Sequence, residues 1–242
     1  LDLQDIAALP QLEYLNLDHT ELPEGSLETL SSLKMITCDY IQLDMLRLAL
    51  GDAAKGLERL NASHLKSLEE LSYFPGLKSL EMEDCREISD ISALAQVKDL
   101  ENLKLYDMDE VNDFTVLNVL KKLRSLSIDA EKLKDISFIN HMPELASLGI
   151  TDSKILLLDP LMGKESLKAL VLVDNGEVRD YNPVGTLTGL ETLVINKYTS
   201  QDDPDLTALT GLKHGEFHGM MGIRFLGSLT GLEELKVQGC TV

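Results

Sequence analysis

The sequence has no tryptophan, only three cysteines, and few aromatic residues: Phe, Tyr and Trp together make up 5% of its 242 residues. Basic residues are also scarce, since 22 Lys and Arg stand against 41 Asp and Glu and leave a net charge of −19. Proteins that bind nucleic acid concentrate Lys and Arg against the phosphates, so this balance predicts no nucleic-acid partner. No apolar run reaches the ~18 residues of a membrane helix, and no signal peptide is recognisable.

A motif of spaced leucines, L-x-x-L-x-L or a close variant, recurs eleven times. Its first leucine stands at Leu12, Leu33, Leu57, Leu77, Leu100, Leu123, Leu145, Leu167, Leu190, Leu212 and Leu232. A repeat of about 22 residues indicates a solenoid, in which each unit buries its apolar face only by stacking on its neighbours. The register is unbroken, so we predict a single domain over residues 1–242. The chain opens at Leu1 inside the end of a repeat, and we expect it to be a segment of a longer protein.

Within a repeat, counted from its first leucine, positions 1, 4 and 6 are apolar. Positions 4 and 6 are two residues apart, which sends both side chains to the same face of an extended strand. That face is predicted to be the core, and positions 3, 5 and 7 are predicted to face solvent.

The remainder of each repeat has a different period. Apolar residues there fall three apart, as in Ile91, Leu94, Val97 and Leu100. A strict spacing of three is typical of 3₁₀ turns, whereas an α-helix mixes three and four. The sequence therefore predicts short 3₁₀ or helical pieces on the outer wall. One longer repeat contains good helix formers from Gln42 to Ala54, and we expect a short α-helix there.

Runs such as ISDISALAQVKDLENLKL (Ile88 to Leu105), LKDISFINHMPELASLGI and TLTGLETLVIN resemble the bacterial internalin-like leucine-rich repeat proteins, and more distantly the phosphatase-regulatory type. The resemblance covers almost the whole chain. It implies a right-handed α/β solenoid, an arc of about eleven repeats with a parallel β-sheet on its concave face and short 3₁₀ or helical segments on its convex face. Those families usually carry Asn at position 9, where only Asn175 does so here.

The register also predicts the state of the cysteines. Cys38 holds a core position, while Cys85 and Cys240 hold position 9, and each is separated from the others by two or more repeats. Strands ~4.8 Å apart then place even Cys38 and Cys85 roughly 10 Å apart, which is beyond disulfide reach. We expect three free and mostly buried thiols.

The predicted solvent face of the sheet shows an apolar patch. Val171, Val173 and Val194, with Ala169 beside them, occupy outward positions, and contiguous exposed apolar area often marks a partner site. Valine is also a good strand former, so the patch has an ordinary structural explanation, as would coverage by another copy of the chain. Asn196 lies at the next outward position after Val194.

The repeat from His214 to His218 combines His214, Glu216 and His218 with Gly215 at a core position. The set suggests a metal site, but residues four apart on a strand are ~13 Å apart, too far for both imidazoles to reach one ion. We predict a polar rim beside the valines, no metal and no cofactor. Gly215 is expected either to compensate for the large Phe217 or to mark a local bend.

Other signals are weaker. Tyr106 stands with Lys104, Glu81 and Glu83 on the predicted face, either as a contact residue or as an ordinary solvated one. The acidic turns Asp107 to Asp113 and Gln201 to Asp205 could hold calcium, but neither completes an EF-hand loop. No motif of nucleophilic, phosphate-binding or metal-dependent catalysis occurs, so we predict that the chain is not an enzyme.

The function that the resemblance implies is recognition of a protein or peptide by the concave sheet. The predicted contact residues are Tyr106, Val171, Val173, Val194, Asn196, His214, Glu216 and His218. The expected location is extracellular or the bacterial cell surface, and end-to-end or face-to-face self-association is a further expectation. The alternative is an intracellular, cytoplasmic regulatory scaffold of the phosphatase-binding type.

Overall fold

The computed structural model describes residues 5–6, 8–196 and 203–241. The chain forms two compact units, Leu1–Leu123 and Arg124–Val242. In the first unit, parallel strands pair in chain order: β1 (Tyr14–Asn16), β2 (Met35–Asp39), β3 (Arg59–Ser63), β4 (Ser79–Glu83) and β5 (Asn102–Leu105). In the second, the order is β6 (Ser125–Asp129), β7 (Ser147–Thr151), β8 (Ala169–Val173), β9 (Thr192–Asn196), β10 (His214–His218) and β11 (Glu234–Gln238). These eleven strands confirm the predicted repeats.

Short helices connect the strands. The 3₁₀ helices span Gly51–Gly56, Glu69–Tyr73, Ser92–Gln96, Thr115–Val119, Ser137–His141, Asp159–Leu161 and Arg224–Ser228. Two α-helices lie wholly within the described residues, α1 (Leu43–Leu50) and α2 (Asn182–Gly185). The helix predicted between Gln42 and Ala54 is confirmed as α1 followed by a 3₁₀ turn. None of the helices in the described residues is long and apolar enough to cross a membrane.

The triplet spacing of apolar residues forms 3₁₀ turns as predicted. The N–H of Leu94 donates to the carbonyl of Ile91 at 3.0 Å, that of Val97 to Leu94 at 3.1 Å, and that of Leu100 to Val97 at 3.2 Å. All four side chains are buried. Each donor lies three residues after its acceptor, so every third side chain points to the same side and enters the core.

Aspartate begins five of the turns or short helices between the strands. The side chains of five aspartates accept the backbone N–H two residues ahead at 2.7–3.0 Å: Asp90, Asp113, Asp135, Asp180 and Asp205. Hydrogen bonds from Ser92 hold the pKa of Asp90 below its usual value, and those from Thr115 do the same for Asp113. Part of the negative charge therefore caps turns.

Charges alternate along position 2, just before the strands. In the first unit the residues at this position are Glu13, Lys34, Glu58, Lys78 and Glu101. In the last four repeats of the second unit they are Lys168, Glu191, Lys213 and Glu233. Lys34 and Lys78 lie 3.3 and 3.8 Å from the Glu58 carboxylate, and Lys213 lies 2.6 Å from Glu191. Opposite charges on neighbouring strands stabilise the stack modestly, since all these groups are exposed.

Position 9 supplies hydrogen bonds between repeats. The buried amide of Asn175 donates to the carbonyl of Ile150 at 2.8 Å and accepts the hydroxyl of Ser153 at 2.5 Å. In the last repeat the Cys240 thiol donates to the carbonyl of Phe217 at 3.4 Å, which is the equivalent position. A thiol thus makes, more weakly, the contact that asparagine makes in the eighth repeat.

The predicted state of the cysteines is confirmed. All three are free, with Cys38 and Cys85 buried and Cys240 half-buried. Burial, reinforced by the charges of Asp18 and Asp39, raises the pKa of the Cys38 thiol to about 12. Burial also raises the pKa of Cys85. Because the thiolate is the reactive form, neither buried thiol is poised for chemistry.

We expect Ellman's reagent at about pH 8 to modify about one thiol of the folded chain quickly, at Cys240, and all three in denaturant. The reason is that access and thiolate formation both disfavour Cys38 and Cys85. The measurement is the time course of absorbance at saturating reagent. A Cys240→Ser variant should lose the fast phase, and fast reaction of a second thiol in that folded variant would contradict the prediction.

The last strand differs from the others in burial. Leu235 and Val237 on β11 hold core positions but are 47% and 41% exposed. In the described part of the chain, no strand lies on the far side of β11. Self-association and a single domain over residues 1–242 stay predictions.

Candidate functional site

The outward side chains of the strands form the surface predicted from the register. We call it the strand face and define it as positions 3, 5 and 7 of each repeat. From β6 to β10 every one of these residues is half-buried, whereas positions 4 and 6 are buried. The assignment of faces, made from two-residue spacing, is therefore confirmed.

The structure brings the predicted apolar patch together in the second unit. Val171 on β8 pairs directly with Val194 on β9, and Val173 lies two residues along β8 on the same face. Ala169 completes the set, which we call the valine patch: Ala169, Val171, Val173 and Val194. All four are half-buried, so part of their methyl surface remains in contact with water.

Small residues border the valine patch on one side. Gly149 on β7 pairs with Val171, and Ser127 on β6 pairs with Gly149. A Cβ at Gly149 would come within 3.1 Å of the Ser127 hydroxyl, so the short Ser127 side chain lies directly beside the glycine. The valine patch is therefore bordered on this side by residues with a small side chain or none, a neighbourhood that was not predicted from the sequence.

Polar residues border the patch on the other side, as predicted. Glu216 on β10 pairs with Val194, and its carboxylate lies 2.9 Å from His218 and 3.0 Å from Lys236. Hydrogen bonds from Lys236 and His218 hold the pKa of Glu216 below its usual value. His214 is 3.3 Å from Glu234. The charge of Glu216 is thus compensated within the face.

Asn196 and Tyr106 complete the predicted residues. Asn196 pairs with His218 across β9 and β10, and its amide lies 3.5 Å from the Asp174 carboxylate. Tyr106 belongs to the first unit, where it follows β5 directly and is half-buried near the ion pair of Lys104 with Glu81 at 3.1 Å. The structure groups seven of the eight predicted residues in the second unit and places Tyr106 in the other.

The described residues contain no group of three or more His, Cys, Asp or Glu that could hold a metal ion. His214 and His218 lie at opposite ends of β10, each paired with its own glutamate. Of the two acidic turns, the one from Gln201 to Asp205 lies partly outside the described residues.

A second cluster, at position 8, was not predicted from the sequence. The backbone there turns into the left-handed region, with φ of 54° at His19, 58° at Tyr40 and 58° at His64. The three rings stack: the centroids of His19 and Tyr40 are 5.7 Å apart, and those of Tyr40 and His64 are 3.9 Å apart. We call these three residues the ring row. Its sequence signal is the recurrence of aromatic or imidazole side chains at one position of three successive repeats.

Asp39 and Gln42 hold the ring row in place. One carboxylate oxygen of Asp39 lies 2.8 Å from Nδ1 of His64, and the other lies 3.7 Å from Nε2 of His19. The Gln42 amide donates to the carbonyl of His64 at 3.0 Å and accepts the N–H of Lys66 at 2.8 Å. His64 is therefore fixed through its ring and its backbone alike.

The chain has the leucine-rich repeat fold, because eleven parallel strands alternate with short 3₁₀ or helical segments at the leucine period. Among solved structures it is similar to an internalin, inlF, from Listeria monocytogenes, with a TM-score of 0.68 and 24% identity over 98% of this chain and 78% of that one. Internalin C2 of the same species gives a TM-score of 0.59 and 19% identity, covering 76% of this chain and 82% of that one.

The leucine-rich repeat domain of the type III effector XopL is a third similar structure. Its TM-score is 0.54 at 20% identity, over 98% of this chain and 80% of that one. No protein-family model matches the sequence, and no curated protein matches it significantly. The predicted internalin-like repeat architecture is confirmed by these structural likenesses, which concern the fold.

Proposed function

We propose that the chain is a non-catalytic recognition module that binds a protein or peptide on its strand face, with the valine patch at the centre of the contact. The observation that carries the proposal is the pairing of Val171 with Val194 on a solvent-facing surface. Where one face of a sheet is in contact with water, apolar and polar residues alternate along each strand, so that the water-facing side is mainly polar. Adjacent valines on the strand face therefore need another reason to be there.

The surroundings of the valine patch fit an interface. Protein contacts combine an apolar centre with a polar rim that supplies hydrogen bonds. Here Glu216, His218 and Asn196 provide the rim on one side, and the small residues around Gly149 leave space for a partner's side chains on the other. Covering apolar area contributes roughly 25 cal/mol per Å², so even this small patch can anchor a contact.

The partner does not need to be strongly basic. Glu216 already pairs with the Lys236 ammonium and accepts a hydrogen bond from His218, so the charge beside the valine patch is balanced locally. We further propose action outside the cell or at a bacterial surface. This location is supported by the internalin-like repeats and by the two internalins among the similar structures.

The test uses a peptide library displayed on phage, selected on the wild-type chain. We expect most selected peptides to bind the double variant Val171→Asp, Val194→Asp at least about tenfold more weakly, which corresponds to ~1.4 kcal/mol. The reason is that two carboxylates in the patch would have to be desolvated on binding. The measurement is the Kd of each synthesised peptide by titration calorimetry, with circular dichroism as the check on folding.

Two variants serve as controls. Thr37→Asp with Asn61→Asp makes the same change in charge on the strand face of the first unit and should leave binding unchanged. Val171→Thr with Val194→Thr keeps the shape and β-branching, so it should fold even where the aspartates do not, and should weaken binding less. Peptides that bind the folded valine variants as tightly as the wild-type chain would refute the valine patch as the site.

A further inference from the structure

The ring row of the first unit ends at His64. Position 8 of the next two repeats carries Asp84 and Asp107, whose φ angles of 53° and 54° match those of the rings. The same backbone conformation recurring at strand spacing, ~4.8 Å, aligns the side chains of this position above one another. A ring could therefore occupy the next place after His64, but the chain has the short Asp84 there.

An open recess of about 400 Å³ lies where the ring row ends. Its lining consists of Tyr40, His64, Leu65, Lys66, Asp84, Arg86 and Glu87. Arg86 lies 2.8 Å from the Asp84 carboxylate, and Lys66 lies 3.1 Å from that of Glu87. The two cations and two anions compensate each other, so the recess has no net charge to attract an ion.

Aromatic surface is available at this recess. Tyr40 is 57% exposed, and the His64 side chain is 34% exposed although Asp39, Gln42 and Tyr40 hold it rigidly. A rigid, partly exposed ring is a favourable stacking partner because little conformational entropy is lost on binding. Stacked aromatic pairs contribute beyond the area they bury, and Tyr and Trp dominate the contacts that matter most in interfaces.

We propose that this recess receives an aromatic side chain of a protein partner, which stacks at the His64 end of the ring row in the place left by Asp84. A guanidinium group would also stack, but it would seek the Asp84 carboxylate, which Arg86 already occupies. The proposal rests on the proposed function only in assuming that the aromatic ring belongs to a protein partner. The recess lies in the first unit and shares no residues with the valine patch, which lies in the second.

The probes are N-acetyl-tryptophan amide and N-acetyl-tyrosine amide, titrated against the labelled chain and followed by NMR. We expect the imidazole resonances of His64 to shift upfield with saturation, and nuclear Overhauser contacts to join the probe ring to His64 or Tyr40. The variant Asp84→Tyr should bind the probes at least tenfold more weakly. It fills the place with the chain's own ring, in the backbone conformation that Tyr40 already adopts.

Matched variants separate the alternatives. Asp152→Tyr makes the same substitution at position 8 of the second unit, where φ is 47°, and should leave the shift unchanged. Asp84→Asn keeps the recess open and should bind as the wild-type chain does. The Val171→Asp, Val194→Asp variant should also bind normally, so failure of the valine patch and failure of the recess are distinguishable.

Three results would overturn the proposal. One is the absence of a saturable His64 shift with either amide in the wild-type chain, which can be measured whether or not Asp84→Tyr folds. Another is an unchanged affinity in folded Asp84→Tyr. The third is an equal shift with cellobiose at the same concentration, which would assign the recess to a sugar instead.

Discussion

Restoring the consensus leucine at Gly215 is expected to destabilise the chain by about 3 kcal/mol, the upper end of the cost of overpacking a core. Nine repeats have leucine at this position, yet a Cβ at Gly215 would lie 2.8 Å from Cε2 of Phe217 and 3.3 Å from Cδ2 of Leu232. Phe217 is fully buried and packs edge-on against Phe225 with their centroids 5.2 Å apart, so it cannot retreat. The measurement is the midpoint of urea unfolding by circular dichroism for Gly215→Leu.

A double-mutant cycle tests the cause. Phe217→Leu alone should cost roughly 1–2 kcal/mol because it leaves a cavity. The double variant Gly215→Leu, Phe217→Leu should lose less stability than the sum of the two single losses, since the smaller side chain at position 217 leaves room for the leucine at position 215. Additive costs would show that the glycine is required for a reason other than the volume of Phe217.

Asn175→Ala is expected to lower the free energy of unfolding by about 2 kcal/mol. The change removes the buried donor to the Ile150 carbonyl and the acceptor of the Ser153 hydroxyl, and leaving buried polar groups unsatisfied costs ~1–3 kcal/mol. The midpoint should fall with little change in the slope of the urea transition, because the folded surface stays nearly the same.

Two further variants sharpen this prediction. Asn175→Cys should recover part of the loss, because Cys240 donates to the carbonyl of Phe217 from the same position of its own repeat. Asn102→Ala removes an exposed asparagine on the strand face and should stay within about 0.5 kcal/mol of the wild-type chain. An equal loss for Asn175→Cys and Asn175→Ala would mean that side-chain volume matters here and the hydrogen bond does not.

The repeats, the buried positions and the 3₁₀ outer wall were predictable because they follow from periods. Side chains two apart on a strand share a face, and side chains three apart in a 3₁₀ turn share a side. Even the exception at Gly215 was predictable, since Phe217 stands two residues away on the same face. The valines could be assigned to the strand face by counting from Leu167 and Leu190 alone.

The ring row could not be found in that way. Position 8 lies beyond the strand, where the direction of a side chain depends on φ, and leucine periodicity says nothing about φ. The positive φ at His19, Tyr40 and His64 is uncommon for residues of this size, and only the structure reveals that it aligns their rings. Nor does the sequence show that Asp39 and Gln42, from other positions, clamp His64.

Because the charges at position 2 alternate in sign, their pattern repeats every two repeats in each unit. Deleting one repeat between Lys34 and Lys78 would place two lysines side by side, and like charges on adjacent strands are destabilising, whereas deleting two would restore the alternation. The same holds between Lys168 and Lys213. The natural step for lengthening or shortening this protein is therefore a pair of repeats, twice the interval that its leucines display.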